Sequence, residues 1–266
     1  MFSEAIKINP GLFLIFVGIL YPLFSNSLKK IFLLATPLVT IILVLNLPQE
    51  GYLEISLLEL KVLPFYINIY SKLFSSIFLF ITFVIAFLCI QYGNKIEKSG
   101  LLIISGLIVS ICFVGDLISF LLFYELILIP SLLIIWSVKT DISKEAGKRY
   151  FLIHILSGAL LTSGIISHIL LQGNYSFNAY EFDDNNIGMF LMLSGLLINI
   201  AAVPFSFWLS DSYPSATPVG TVILSTFSTK ITLIALLVIF PGNVILTLLG
   251  VLMLCYGVIF PFLKTI

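Results

Sequence analysis

The stretch GLLIISGLIVSICFVGDLISFLLFYELILIPSLLIIWSV, residues 100–138, decides the fold. It carries only two charges, Asp116 and Glu125, among residues that are mostly Leu, Ile, Val and Phe. Roughly 20 apolar residues, rising 1.5 Å each, cross a bilayer once. The stretch is long enough to cross twice, and Asp116 marks the tight corner between the two passes. The reading is a pair of consecutive transmembrane helices.

Working outward, the same pattern recurs along the chain. Spans are expected at 8–24, 31–47, 73–92, 100–115, 117–138, 150–171, 187–209, 217–240 and 244–263. Pro241-Gly242-Asn243 marks the last corner. The expected fold class is therefore all-α: a polytopic transmembrane helix bundle of about nine spans. Composition agrees, with 60% hydrophobic and only 10% charged residues, against about 25% charged in soluble domains. Residues 49–72 mix charge with alternating apolar positions and read as an extramembrane hairpin or interfacial segment. The first apolar run has no small-residue cleavage site after it and is expected to stay as a helix. Zero net charge gives no reason to expect a nucleic-acid partner. Cys89, Cys112 and Cys255 lie far apart in apolar runs, so they read as inert thiols. No metal, cofactor or catalytic nucleophile is expected.

The basic residues give an independent check on the span count. One side of the nine spans collects Lys29, Lys30, Lys95, Lys98, Lys139, Lys144, Lys148, Arg149 and Lys264, whereas the other holds only Lys7, Lys61 and Lys72. By the positive-inside rule the first side is cytoplasmic. The N-terminus and the acidic loop 181–184 are then outside and the C-terminus inside. The expected location is the inner (plasma) membrane of the cell, with the lipid bilayer as the first partner.

Charge inside a span costs at least about 2.5–3.5 kcal/mol on insertion scales and marks function by default. Two residues meet that description. Glu125 lies about 12 Å into the fifth span, and Lys230 about 20 Å into the eighth, which runs the opposite way. The two are thus expected at similar depth, where an acid and a base can pair. Such a pair serves either as a proton relay or as a static pin between helices. The run Ser225-Thr226-Phe227-Ser228-Thr229-Lys230-Ile231-Thr232 is rich in hydroxyls that can hold an ammonium, or merely bond back to helix carbonyls. Asn199 lies mid-span, and five residues on Pro204 removes a helix hydrogen bond. Asn199, Pro204, Ser228 and Thr229 are therefore read as a helix break and a candidate channel lining. His154 and His168 share one face of the sixth span about 21 Å apart. His154 is expected near the cytoplasmic end, as an interfacial hydrogen-bonder or as a proton link.

The fifth span and the stretch AAVPFSFWLSDSYPSATPVGTVILSTFSTKITLIALL, residues 201–237, together resemble a known family. They are similar to the antiporter-like membrane subunits of respiratory complex I, membrane-bound hydrogenases and multisubunit Mrp-type sodium/proton antiporters. The pattern rests on Pro204, Trp208, Leu209, Asp211, Tyr213, Pro214, Ala216, Thr217 and Lys230. Its flavour is closest to D-type antiporter subunits. The resemblance implies a parent fold of about fourteen helices with two inverted five-helix repeats. It divides the chain into three helices at 1–99, one proton-conducting repeat at 100–240, and at 241–266 the ninth helix of a missing second repeat. It places the family's fifth-helix glutamate on Glu125 and its eighth-helix lysine on Lys230. Its seventh-helix lysine falls on Asn199, which is a departure. The implied activity is proton or sodium/proton translocation by a Glu125–Lys230 relay, with His154 as a further station. A non-transporting assembly role is the alternative, and a solute permease is disfavoured by the lack of a substrate-sized polar cluster. The implied partners are other integral membrane subunits, among them a second polypeptide supplying the missing repeat. Redox chemistry of the NADH:quinone oxidoreductase type would belong to such partners.

Overall fold

The computed structural model describes residues 8–57, 60–183 and 186–264. In chain order the elements are α1 (Gly11–Leu20, continued by a 3-10 turn at Tyr21–Leu23), α2 (Asn26–Leu45), β1 (Gly51–Leu57), β2 (Leu60–Ile67) and α3 (Ile69–Tyr92). There follow α4 (Lys95–Cys112), α5 (Leu117–Leu126), α6 (Leu128–Trp136) and α7 (Asp141–Gln172), then α8 (Ile187–Asn199), α9 (Phe207–Ser212), α10 (Pro218–Ile239) and α11 (Val244–Lys264). Of the expectations above, Lys7, Asp184 and the side chain of Lys264 lie outside the described residues.

Most of these helices start at a side chain that caps them. Asn68 and Ser71 form a capping box at α3, and Asn94 and Glu97 form one at α4. Asp116, Thr140, Asn186 and Thr217 accept from the first free amides of α5, α7, α8 and α10. Each cap satisfies donors that a helix start leaves open, so these residues set the boundaries. At the far end of α7, Gly173 takes the left-handed conformation (φ 66°) that ends a helix without Cβ strain.

Among the described residues, five helices are long and apolar enough to cross a bilayer: Leu28–Leu45, Ile69–Tyr92, Leu117–Trp136, Asp141–Gln172 and Pro218–Ile239. Shorter apolar helices lie at Gly11–Leu23, Ile187–Asn199 and Val244–Ile259. The bundle is apolar on its rim as well as in its core. Phe16, Phe80, Leu152 and Leu170 are exposed, while Leu101, Phe120, Phe227 and Leu236 are buried. That is the surface of a membrane protein, whose rim meets hydrocarbon.

The connections gather at two ends. At one, the antiparallel β1–β2 hairpin covers the corner between α4 and α5. Gly115 N donates to Leu63 O (2.9 Å), Leu117 N to Tyr175 O (2.8 Å) and Phe177 N to Gly115 O (2.9 Å). Tyr180 N reaches Ile239 O (2.9 Å) at the end of α10. At the other end, Ser99 Oγ donates to Gly18 O (2.6 Å), Asn94 Nδ2 to Ser137 Oγ (3.0 Å) and Thr217 Oγ1 to the buried Glu97 carboxylate. Arg149 meets Asp211 there through two bonds of 2.6 and 3.0 Å. The hairpin expected at 49–72 is present, and the lysine-rich loops do share one end.

Several boundaries differ from the sequence expectation, among them the starts of α2 at Asn26 and α3 at Ile69. Helix α7 starts at Asp141 and runs 32 residues, because Thr140 caps it and the pairs Lys144–Asp141 (2.8 Å) and Lys148–Glu145 (2.7 Å) support a first turn outside the apolar window. Helix α4 likewise starts in its charged turn at Lys95. The seventh span is not one helix with a kink at Pro204. It stops at Asn199, turns through Ala201 at φ 59°, and resumes at Phe207. At this break the carbonyl of Ile198 accepts from Ala201 N (3.1 Å) in a tightened turn and from the indole Nε1 of Trp208 (2.9 Å).

Candidate proton-transfer site

Glu125 lies in the last turn of α5, where the fifth span is interrupted at Ile127 three residues before Pro130. Pro130 cannot donate to the carbonyl four residues back, so the helix tightens there: Ile127 N bonds to Tyr124 O at 3.2 Å. The break turns the Glu125 carboxyl onto α7 at Gly158. A Cβ at Gly158 would come within 2.6 Å of Oε2 and 2.8 Å of Cδ, so only glycine leaves the carboxyl its seat. Oε1 is buried and has no hydrogen-bond partner among the described residues.

One turn before Gly158 on α7 stands His154, 4% exposed. Its Nδ1 is 3.2 Å from Nδ2 of Asn199, which also donates to Ser157 Oγ (3.2 Å). Its Nε2 is buried without a partner. The early start of α7 puts His154 near the helix middle. The turns of α7 before Tyr150 lie ahead of the apolar window, so His154 keeps its expected place near the start of that window, but its side chain is buried in the bundle. His168, by contrast, packs edge-on against Tyr180 (ring centroids 4.6 Å), at the hairpin end.

The ring of Tyr124 lies nearly parallel to His154 at 6.1 Å, and its hydroxyl meets Thr232 Oγ1 of α10 at 3.1 Å. Tyr150 lies 5.8 Å from His154 and 5.6 Å from Trp208. Asn199, His154 and Ser157 on one side, and Tyr124 and Thr232 on the other, are two hydrogen-bonded groups that meet at the ring contact of His154 with Tyr124, a polar track interrupted at that contact, with Glu125 beside it. Such groups in a low-dielectric core can pass a proton by hydrogen-bond exchange, and His154 and Glu125 can hold one.

Lys230 is not on this track. It lies two residues from buried Ser228 and Thr232, about 200° around α10, and it is exposed at the side of the bundle. Its ammonium donates to Ser225 O (2.7 Å) and Thr229 Oγ1 (3.2 Å) of its own helix. The expected Glu125–Lys230 pair is not formed; the described ion pairs are Lys61–Glu54, Lys144–Asp141, Lys148–Glu145 and Arg149–Asp211. The hydroxyl-rich run therefore serves both expected roles: Ser225 and Thr229 hold the ammonium, while Thr226 Oγ1 bonds back to Val222 O (2.7 Å). Pro204 lies in the irregular segment between α8 and α9.

Sequence reading missed Tyr124 and Gly158, and had Thr232 only as the end of the hydroxyl-rich run around Lys230. A tyrosine or threonine in an apolar helix carries no charge signal, and a glycine there reads as helix packing. It also missed Glu97, although the Asn-x-x-Glu capping box ahead of an apolar run was there to be seen.

Comparison with known proteins converges on one family. The family model described as NADH:quinone oxidoreductase/Mrp antiporter, TM, matches residues 114–261, more than half of the chain. NADH-quinone oxidoreductase subunit N of Flavobacterium johnsoniae is 30% identical over 186 residues, covering 63% of this chain and 39% of that protein. Subunit N of Deinococcus radiodurans is 34% identical over 126 residues, 44% and 26% of the two chains. These relatives are N subunits, not the D-type antiporter subunits that the motif's flavour favoured. The fold resembles a chain of the Mrp complex from Dietzia sp. with a TM-score of 0.70 at 21% identity, covering 88% of this chain and 49% of that one. It also resembles a chain of respiratory complex I from Thermus thermophilus, with a TM-score of 0.69 at 19% identity and coverage of 86% and 51%. The chain thus spans less than half the length of these curated relatives. With the family match over more than half of its length, it belongs to the NADH:quinone oxidoreductase/Mrp antiporter family of membrane subunits.

Proposed function

We propose that the protein conducts protons within a multisubunit membrane assembly of the complex I or Mrp type. The observation that carries this reading is the Glu125 carboxyl: half-buried, with its Oε1 buried and unpaired among the described residues, and seated on Gly158 one turn from His154. A static structural carboxylate would be expected to have an ion-pair or hydrogen-bond partner. Glu125 and His154 hold the proton, Tyr124 and Thr232 extend the track to α10, and Lys230 supplies the second charge from the far face of that helix. Since the structure leaves Glu125 and Lys230 apart, their coupling runs through α10 and not through a direct pair.

In this reading the chain crosses the membrane nine times, through the five long helices, the three shorter ones and α4, whose first turn carries three charges. Residues 100–240 act as the conducting repeat. The lysine-rich end faces the cytoplasm across the plasma membrane. The test is proton flux in vesicles containing the whole assembly. Loss of flux in Glu125→Ala supports the proposal, and parental flux in both Glu125→Ala and Lys230→Ala overturns it.

One observation favours a second reading, a structural subunit that no longer conducts. Asn199 stands where the resemblance places a lysine, and it is tied to His154 and Ser157 as a helix-packing amide. That reading predicts co-purification with other membrane subunits and no change in activity in Asn199→Lys.

A further inference from the structure

Next to the Glu125–His154 group, toward the lysine-rich end, lies a second set of buried polar side chains that the proposed function does not use. Ser131 of α6, Tyr150 of α7, Tyr213 after α9 and Ser228 of α10 are each at most 4% exposed. Ser131 lies six residues past Glu125 on the same span, Tyr150 four residues before His154, and Ser228 four residues before Thr232. Each step is about one helical turn or more in the same direction, so these residues form a layer beside the first group. Tyr150 faces the hydroxyls of Ser131 and Ser228, and Tyr213 faces that of Ser228. Yet Ser131 Oγ, Tyr150 Oη and Tyr213 Oη make no hydrogen bond among the described residues.

A buried polar group normally has a partner, and three partnerless hydroxyls gathered in one place call for a cause. The tyrosines are not free to turn away and find one. Trp208 packs against both rings, 5.6 Å from Tyr150 and 5.9 Å from Tyr213, and its own indole is tied to Ile198 O. His154 holds the Tyr150 ring at 5.8 Å. A buried water takes two to four polar partners. The layer offers four hydroxyls, each able to donate and to accept, and no charge that would select an ion. We infer that Ser131, Tyr150, Tyr213 and Ser228 form a binding site for internal water. The site adjoins the first group through α10, where Thr232 Oγ1 donates to Ser228 O (3.2 Å) and meets the Tyr124 hydroxyl. Water bound there is placed to exchange protons with that group. Its binding stands without the proposed function, whereas the exchange rests on it.

The test is a cryo-EM map of the intact assembly at a resolution that shows ordered water. The expected result is a density within hydrogen-bond distance of Tyr150 Oη and Tyr213 Oη. The double variant Tyr150→Phe/Tyr213→Phe keeps both rings on Trp208 and removes both oxygens, so it should lose that density at an unchanged membrane level of the chain. Each single variant should weaken it, which reads the same contrast where the double variant does not assemble. Hydroxyls bonded directly to one another with no density between them would overturn the inference, as would a density that persists in the double variant. Proton flux in vesicles containing the same assembly separates this inference from the proposed function. In an assembly that conducts, the double variant should lower flux at least severalfold, and parental flux would overturn the proton exchange. The density found in an assembly without flux would refute the proposed function and leave the water site standing.

Discussion

At the residue scale, the site turns on a contact between an acid and a glycine. Gly158 leaves the Glu125 carboxyl its seat on α7. Gly158→Ala is therefore expected to displace the carboxyl and lower proton flux at least severalfold while the chain still reaches the membrane; flux and membrane level measured together check this. Tyr124→Phe removes the hydroxyl that meets Thr232 and leaves a buried acceptor without its partner, a cost of about 1–3 kcal/mol. It should lower both flux and the unfolding temperature in detergent. Glu125 and Lys230 were legible in the sequence because charge stands out in an apolar span. The direction of Lys230 was not. Helix α10 is apolar through most of its circumference, so no polar stripe told which side faces the core. Depth alone suggested a pair that the 200° turn between Ser228 and Lys230 prevents.

At the scale of elements, two junctions organise the bundle. The first is Asp116, 1% exposed. Its carboxylate caps α5 through Ile118 N and Ser119 N (both 2.8 Å) and also accepts from Leu63 N of β2 (2.6 Å). Asp116→Ala should cost about 1.5–5 kcal/mol, the sum of a lost cap and an unsatisfied strand amide. Hydrogen exchange should show Leu63 and its neighbours in β2 losing protection before the helices do. The second junction is the clamp of Arg149 on Asp211, which fixes short α9 to α7 next to the Tyr150–Trp208 contact. Both side chains are partly exposed, so a double-mutant cycle should return a coupling of only about 0.2–1 kcal/mol. The corner at Asp116 and the hairpin at 49–72 were legible from turn chemistry and alternation. The break at Asn199 was not, because Pro204 drew attention to itself while the chain had already left the helix five residues earlier. The start of α7 was hidden for a different reason: an apolar window stops at Tyr150, whereas capping by Thr140 carries the helix back to Asp141.

At the scale of the molecule, an apolar rim surrounds a bundle core that contains a narrow polar track. The class of fold was legible from composition and from the spacing of apolar runs, because a bilayer demands both. The track was not, since it is assembled from single residues on α5, α7, α8 and α10 that meet only after folding. The account's central claim is that Glu125 carries a proton through that core. The most direct test is proton flux in vesicles containing the complete assembly, comparing the parent with Glu125→Gln, which keeps the size of the side chain but cannot exchange a proton as a carboxyl does. The account predicts a fall of at least about tenfold with the chain present in the membrane at its parental level. Parental flux in Glu125→Gln would contradict it.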